Sequence, residues 1–136
     1  MKNDKATPRL QELGKSLGRL GEALEIPLEN PLAVDGTIQR FEFTFELFWK
    51  TLKAFLELEG LQTATPREAL KKAFQIGWLQ DEAVWLRMID DRNLTSHVYR
   101  EAEALAIYGH IRDYFSEMKW TYDLLRERSV EEEENN

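Results

Sequence analysis

Apolar residues recur every three or four positions along most of this 136-residue chain, and no stretch of useful length alternates with a period of two. A spacing of three and four puts side chains on one face of an α-helix, whereas a half-buried β-strand needs strict alternation. The first segment shows the helical spacing most simply, through Leu10, Leu13, Leu17, Leu20 and Leu24. The sequence therefore predicts an all-α fold, an antiparallel up-and-down bundle of four to five helices.

Residues that begin and end helices divide the chain into segments. Thr7 followed by Pro8 is typical of a helix start, and the prolines and asparagine of positions 27–31 predict the loop that ends this first helix. Asp35 is then expected to cap a second helix, which runs from about position 36 to position 59.

Glycines and capping residues set the later boundaries. Gly60 is placed just after the second helix, and Thr65 to Glu68 read as a capping box that starts a short third helix, which Gly77 ends. Asp81 is expected to cap a fourth helix, and a fifth is predicted from about position 99 to position 128.

Composition fits one domain. A hydrophobic content of 43% suits a single core over residues 1–128, whereas the four glutamates from Glu131 to Glu134 predict a disordered acidic tail at 129–136. The polar N-terminus and the lack of a long apolar run predict a cytoplasmic protein without a membrane span. The net charge of −7 excludes a broad basic surface for nucleic acid, so any RNA contact should be local, transient or dependent on oligomerisation.

The sequence offers few residues for metal binding or thiol chemistry. It has no cysteine, which excludes disulfides, thiol nucleophiles and thiolate metal sites. Its two histidines, thirteen positions apart, match no familiar metal-ligand spacing. We therefore predict neither a metal nor another cofactor.

The second helix carries more aromatic residues than a thin bundle needs for its core. In a monomer, the side of this helix that bears Phe43 and Trp49 would be exposed to solvent. Large exposed apolar patches commonly mark an interface. A homodimer is the resulting hypothesis.

One polar stretch, Asp90 to Tyr99, interrupts two strongly apolar helical segments and is the candidate chemical site. Arg92 can hold a phosphate through its guanidinium, and the imidazole of His97 can move the proton of a ribose 2′-hydroxyl or a leaving oxygen. Five residues of a continuous helix turn the direction by about 140°, so the two side chains can meet only where the helix ends or turns. The pair would suit metal-free RNA cleavage, with Asp91, Asn93 and Ser96 in supporting roles.

The same stretch also allows a purely structural interpretation. Asp90 and Asp91 could pair with Arg87 and Arg92 to finish a helix, while Thr95 and Ser96 cap the next one. His110, between Gly109 and Ile111 of the last helix, is interpreted as a surface or hydrogen-bonded structural residue.

Residues 92 to 99 read R-x4-H-x-Y, a pattern that resembles the HEPN-type toxins paired with minimal nucleotidyltransferases. The second helix, from Ile38 through Lys53, is similar to that of the subgroup known as nucleotidyltransferase substrate-binding proteins, and the resemblance spans roughly residues 8 to 128. It implies a helical bundle that dimerises and places Arg92 and His97 of both subunits in a shared, metal-independent ribonuclease cleft.

The resemblance also implies a partner. In such pairs a separately encoded minimal nucleotidyltransferase, acting as antitoxin, transfers AMP to the tyrosine of the motif, here Tyr99. A phosphate-bearing adduct close to His97 would block the cleft by charge and bulk. The chain itself lacks a Gly-Ser followed by an Asp-x-Asp pair, so the transferase must be another chain.

Three functions compete at this point. The first is the ribonuclease toxin, and the second is a non-catalytic subunit that presents substrate to a nucleotidyltransferase. The third is a helical interaction module whose polar stretch only caps a helix. Because a purely binding role would not need both Arg92 and His97, their joint presence favours the nuclease.

Overall fold

The computed structural model of the chain describes residues 5–98 and 100–134. In this part the chain forms five α-helices and one 3₁₀ turn, and no strand occurs. They are α1 (Ala6–Glu25), α2 (Ala33–Leu58), α3 (Pro66–Gln75), α4 (Glu82–Leu94), the 3₁₀ turn (Thr95–His97) and α5 (Glu101–Glu134). The predicted all-α bundle is confirmed.

Helix α2 lies at the centre of the bundle and packs against α1, α3, α4 and α5. The aromatic residues of α2 that are spaced by three, four and seven positions are buried, namely Phe41, Phe45, Phe48 and Phe55. The leucines of α1 pack on them. The fully enclosed side chains of the core include Leu13, Leu20, Phe41, Phe45, Phe48, Leu52, Trp85, Met88, Ile111 and Met118. Among the described helices, none has the length and apolar character that a bilayer crossing requires.

Two glycines of α1 allow α5 to approach closely. A Cβ atom added at Gly14 would lie 2.5 Å from the hydroxyl oxygen of Tyr122, and one added at Gly21 would lie 3.0 Å from the ring of Phe115. Bulkier residues at these positions would push the two helices apart, since side-chain carbons in a packed core sit at larger separations.

Most of the predicted helix boundaries are confirmed. The Thr65 hydroxyl accepts a hydrogen bond from the Glu68 N–H at 3.1 Å, and the Asp81 carboxylate accepts from the first N–H groups of α4. Gly60 and Gly77 follow their helices with φ values of +81° and +88°, a conformation that glycine adopts without steric cost. Short-range sequence signals are sufficient at these ends.

Two predicted starts are wrong. Helix α1 begins at Ala6 rather than after Thr7, and α2 begins at Ala33, which leaves Asp35 inside the first turn instead of at the cap. Asn30 accounts for the second difference, because its side-chain oxygen accepts from the Leu32 N–H at 2.9 Å and turns the chain into the helix early.

The predicted end of the last helix near Arg128 is also wrong, because α5 continues to Glu134. No glycine or proline follows Arg128, and glutamate is a good helix former, so nothing local stops the helix there. The expected disordered tail is thus helical as far as Glu134. The limits of the domain at residues 1–128 stay a prediction.

Glu117 of α5 joins that helix to the start of α4. Its Oε2 accepts hydrogen bonds from the backbone N–H of Gln80 and of Asp81, at 3.2 and 3.0 Å, and from Nε1 of the enclosed Trp85, at 3.3 Å. We expect Glu117→Ala to lower the free energy of unfolding by about 1–3 kcal/mol, because it leaves a buried indole N–H without an acceptor. Urea denaturation followed by circular dichroism measures this change.

Asp123 provides the control on the same helix. Its carboxylate pairs with Lys119 at 3.1 Å, and both side chains are exposed. Such pairs contribute little, so Asp123→Ala should change stability by less than about 0.5 kcal/mol. Equal losses in the two variants would contradict the role given to Glu117.

Candidate active site at the junction of α4 and α5

The polar stretch lies where α4 ends. Arg92 and Asn93 belong to the last turn of α4, and the 3₁₀ turn carries Ser96 and His97. The change from α-helix to 3₁₀ turn therefore falls between the two residues proposed for catalysis. Asn93, Ser96 and His97 are exposed, and the imidazole of His97 makes no hydrogen bond within the described part of the chain.

Arg92 is held against α2. Its Nη1 lies 3.1 Å from Oε2 of Glu46, and its guanidinium carbon lies 5.4 Å from the centre of the Phe45 ring. The side chain is 28% exposed, and its Nε is buried without a hydrogen-bond acceptor in the described residues. Trp49 in turn donates from Nε1 to the other oxygen of Glu46, at 3.3 Å. The cation is thus fixed by an ion pair and a ring face, with part of its surface open to a ligand.

The 3₁₀ turn is also attached to α2. The hydroxyl of Thr95 donates to the carboxylate of Glu42, and this hydroxyl lies 2.7 Å from the carbonyl oxygen of Arg92. Sequence reasoning missed Glu42 and Glu46. Two carboxylates four residues apart on a helix repel each other. Their presence on the central helix was therefore a signal in the sequence that cationic side chains or hydrogen-bond donors face them.

Asp91 points toward α5. It is buried, and its Oδ2 lies 2.6 Å from the Tyr114 hydroxyl and 2.9 Å from Nδ1 of His110. Burial, together with the hydrogen bond to this carboxylate, raises the pKa of Tyr114 well above its usual value. The phenol therefore stays protonated and donates to Asp91.

The purely structural interpretation of this stretch is wrong in its pairings. Asp91 bonds to α5 and Arg92 to α2, so these two residues do not neutralise each other at a helix end. Thr95 does not cap the following helix either, because α5 begins only at Glu101 and the Thr95 hydroxyl is bonded to Glu42.

A broad groove of about 1090 Å³ borders the 3₁₀ turn. It lies between the α1–α2 loop, the first half of α2 and the start of α5. Its lining includes Leu28, Leu32, Glu42, Val98 and Arg100. The two leucines are 56% and 71% exposed, so the groove offers apolar surface beside the polar site.

Tyr99 lies outside the described residues, although its neighbours Val98 and Arg100 both line the groove. Within the described residues, no group of three or more histidine and carboxylate side chains is arranged to hold a metal ion.

Comparison with known proteins agrees with this architecture. Residues 8–127 match the family model described as nucleotidyltransferase substrate binding protein like. A Haemophilus influenzae protein named "Probable ribonuclease HepT" is 33% identical over 101 residues, which are 71% of this chain and 69% of that protein.

Two solved structures share the fold. That of the Thermus thermophilus protein ttk003001694 is 42% identical with a TM-score of 0.77, and the match covers 84% of this chain and 98% of that one. The structure of HI0074 from Haemophilus influenzae is 27% identical with a TM-score of 0.77, and the match covers 86% of this chain and 98% of that one. It is described as revealing the fold of a substrate-binding domain of a nucleotidyltransferase. The family model spans nearly the whole bundle, and the chain therefore belongs to the family of nucleotidyltransferase substrate-binding-like proteins.

Proposed function

We propose that this protein is a metal-independent ribonuclease, the toxin of a toxin–antitoxin pair that acts in the cytoplasm. The observation that carries the proposal is that α4 ends between Arg92, whose guanidinium is fixed against α2 and partly open, and the exposed His97. The relative named as a probable ribonuclease supports the same activity.

The chemistry requires two groups near one phosphate. The ribose 2′-oxygen attacks phosphorus and loses its proton to a base, while the bond from phosphorus to the 5′-oxygen breaks and that oxygen gains a proton. His97 handles one of these protons, and Arg92 stabilises the added negative charge of the phosphorane. The products are a 2′,3′-cyclic phosphate and a 5′-hydroxyl. Asn93 and Ser96 are exposed beside the pair and would donate hydrogen bonds to the RNA backbone.

One histidine provides only part of the required proton transfer, and a homodimer would supply the second. Phe43 and Leu94 are 56% and 53% exposed, on α2 and α4 respectively. Phe43 is three positions from Glu46 on α2, so it borders the Arg92 ion pair, and Leu94 is the last residue of α4, directly before the 3₁₀ turn that carries His97. A second copy covering these side chains would bring its own Arg92 and His97 to a common cleft.

The dimer leads to a direct prediction. Phe43→Glu places a charge in the proposed interface, so we expect sedimentation to show a monomer and RNA cleavage to fall about 10-fold or more. Phe74 of α3, which is 38% exposed, offers the control: Phe74→Glu should stay dimeric and active. A Phe43→Glu variant that remains dimeric would exclude this face as the interface.

A separately encoded minimal nucleotidyltransferase is the proposed partner. It would transfer AMP to the Tyr99 hydroxyl and release pyrophosphate from ATP. The adduct would sit two positions from His97 and would repel an RNA phosphate. Arg100 and the groove beside it would face the transferase during this reaction.

A second candidate is a non-catalytic subunit that presents substrate to a nucleotidyltransferase. The groove beside the 3₁₀ turn favours it, because its mixed apolar and polar lining suits a bound molecule. The description of HI0074 as such a domain points in the same direction.

Cleavage of total RNA and of tRNA in EDTA, by protein made without its partner, separates the two candidates. Wild type should cleave, and His97→Ala should cleave about 10²-fold more slowly or worse, because a general acid or base is lost. His110→Ala tests whether any histidine suffices, and its effect should be smaller. Absence of cleavage by folded wild-type protein would overturn the nuclease proposal in favour of the binding subunit.

A further inference from the structure

The end of α4 is held by polar contacts rather than by apolar packing. From Asp90 to His97, Asp91 is the only buried residue, and Leu94 is 53% exposed. The last enclosed apolar side chains of α4 are Met88 and Ile89. The backbone of α4 continues unbroken to Leu94, so beyond Ile89 the segment is attached to the neighbouring helices through its polar side chains.

These bonds go to two different helices. Arg92 and Thr95 bond to glutamates of α2, whereas Asp91 bonds to Tyr114 and His110 of α5. Successive residues of an α-helix point about 100° apart, so Asp91 and Arg92 hold the segment from two directions. Loss of either attachment would let the last turn of α4 and the 3₁₀ turn after it fray or shift toward the other.

The chemistry of the α5 attachment is well defined. An ionised carboxylate only accepts hydrogen bonds, so the Tyr114 hydroxyl and Nδ1 of His110 both donate to Oδ2 of Asp91. The assignment leaves Nε2 of His110 without its proton in the neutral ring. Hydrogen bonds to a buried charge are among the strongest in proteins, because the alternative is an unsatisfied carboxylate.

The surroundings argue against a second phosphate site here. The three side chains border a cleft of about 270 Å³ whose other charged residues are Arg87, Asp90 and Asp113. The carboxylates outnumber the guanidinium, so the cleft would repel an RNA phosphate. Of the two roles, binding phosphate and positioning α4, the surroundings favour positioning.

We propose that Asp91, Tyr114 and His110 form a positioning cluster that holds the last turn of α4 against α5, and thereby fixes the position of Arg92 and of the turn that carries His97. Its effect on catalysis rests on the proposed ribonuclease function. A catalytic group displaced by about 1 Å can cost on the order of 10² in rate, so the cluster controls turnover without touching RNA.

Tyr114→Phe removes one hydroxyl, keeps the ring in the core, and is the first variant to test. We expect kcat for RNA cleavage to fall about 10-fold while KM stays within about 2-fold, because binding to exposed phosphate contacts is kept. Tyr108→Phe is the control on the same helix: it is equally buried, its hydroxyl faces Arg112, and its kcat should not change.

His110 allows a rescue experiment. The amide nitrogen of asparagine lies close to the position of Nδ1, whereas that of glutamine reaches the position of Nε2. His110→Asn should therefore retain most of the cleavage that His110→Gln loses. Equal rates in the two variants would contradict a role for the Nδ1 bond.

Hydrogen exchange tests the cluster without relying on cleavage. We expect Tyr114→Phe and Asp91→Asn to speed amide exchange about 10-fold over residues 92–98, and to leave α1 unchanged. If the wild-type protein does not cleave RNA, the ribonuclease proposal is rejected. Faster exchange in the two variants would then still support the positioning cluster. Unchanged exchange in both variants, with kcat unchanged in Tyr114→Phe, would overturn the positioning proposal.

Discussion

Arg92→Ala is expected to lower RNA cleavage about 10³-fold, more than any other single change at the site. The guanidinium is the charge proposed to stabilise the phosphorane, and its removal has a second effect. Glu46, which now pairs with Nη1 at 3.1 Å, would keep the longer ion pair with Lys50, at 4.0 Å, and its charge would lie beside the bound phosphate. The variant should therefore both lose attraction and gain repulsion.

Two further variants separate these contributions. Arg92→Lys keeps the charge but not the planar fork over Phe45, so we expect cleavage between that of wild type and that of the alanine variant. Adding Glu46→Gln to Arg92→Ala removes the repulsion and should restore about 10-fold. Single-turnover rates of RNA cleavage measure the effect of both variants.

Arg40→Ala, on α2, is a control for general loss of positive charge. A fall in the cleavage rate equal to that of Arg92→Ala would contradict a specific role for Arg92.

Trp85→Ala is expected to lower the free energy of unfolding by about 3–5 kcal/mol. Its ring is fully enclosed, meets Phe48 edge-on with centroids 4.9 Å apart, and donates to Glu117. The cavity would open where α4 packs on α2 and α5. Small domains have only about 5–15 kcal/mol of stability in total, so the variant would lose a large fraction of it.

Urea denaturation followed at 222 nm measures this loss independently of tryptophan fluorescence. Trp120, which is 38% exposed on α5, provides the matched control, and Trp120→Ala should cost less than about 1 kcal/mol. Trp85→Phe fills part of the cavity and should fall between them. A Trp85→Ala variant as stable as Trp120→Ala would show that the core does not depend on this ring.

The helices and most of their ends follow from short stretches of sequence. Hydrophobic spacing identified the buried faces of α1 and α2, and Thr65, Asp81, Gly60 and Gly77 marked boundaries that the structure confirms. These signals work because a cap or a left-handed residue acts within four positions along the chain.

The last helix shows where periodicity stops being sufficient. Leu105 and Tyr114 both fit the spacing of three and four along α5, yet Leu105 is 44% exposed whereas Tyr114 is buried. The side of α5 that is covered depends on where α1, α2 and α4 lie, and Tyr114 is buried because a carboxylate of α4 accepts its hydroxyl.

The sequence by itself determined the all-α bundle and the candidate pair Arg92 and His97. Only the tertiary structure decided the partners of that segment, namely Glu46 from α2 for Arg92, and His110 and Tyr114 from α5 for Asp91. Neither set of partners follows from local spacing, because each is fixed by the packing of helices far apart in the chain. A periodic pattern states which face of a helix is buried, and the fold alone states which side chains that face meets.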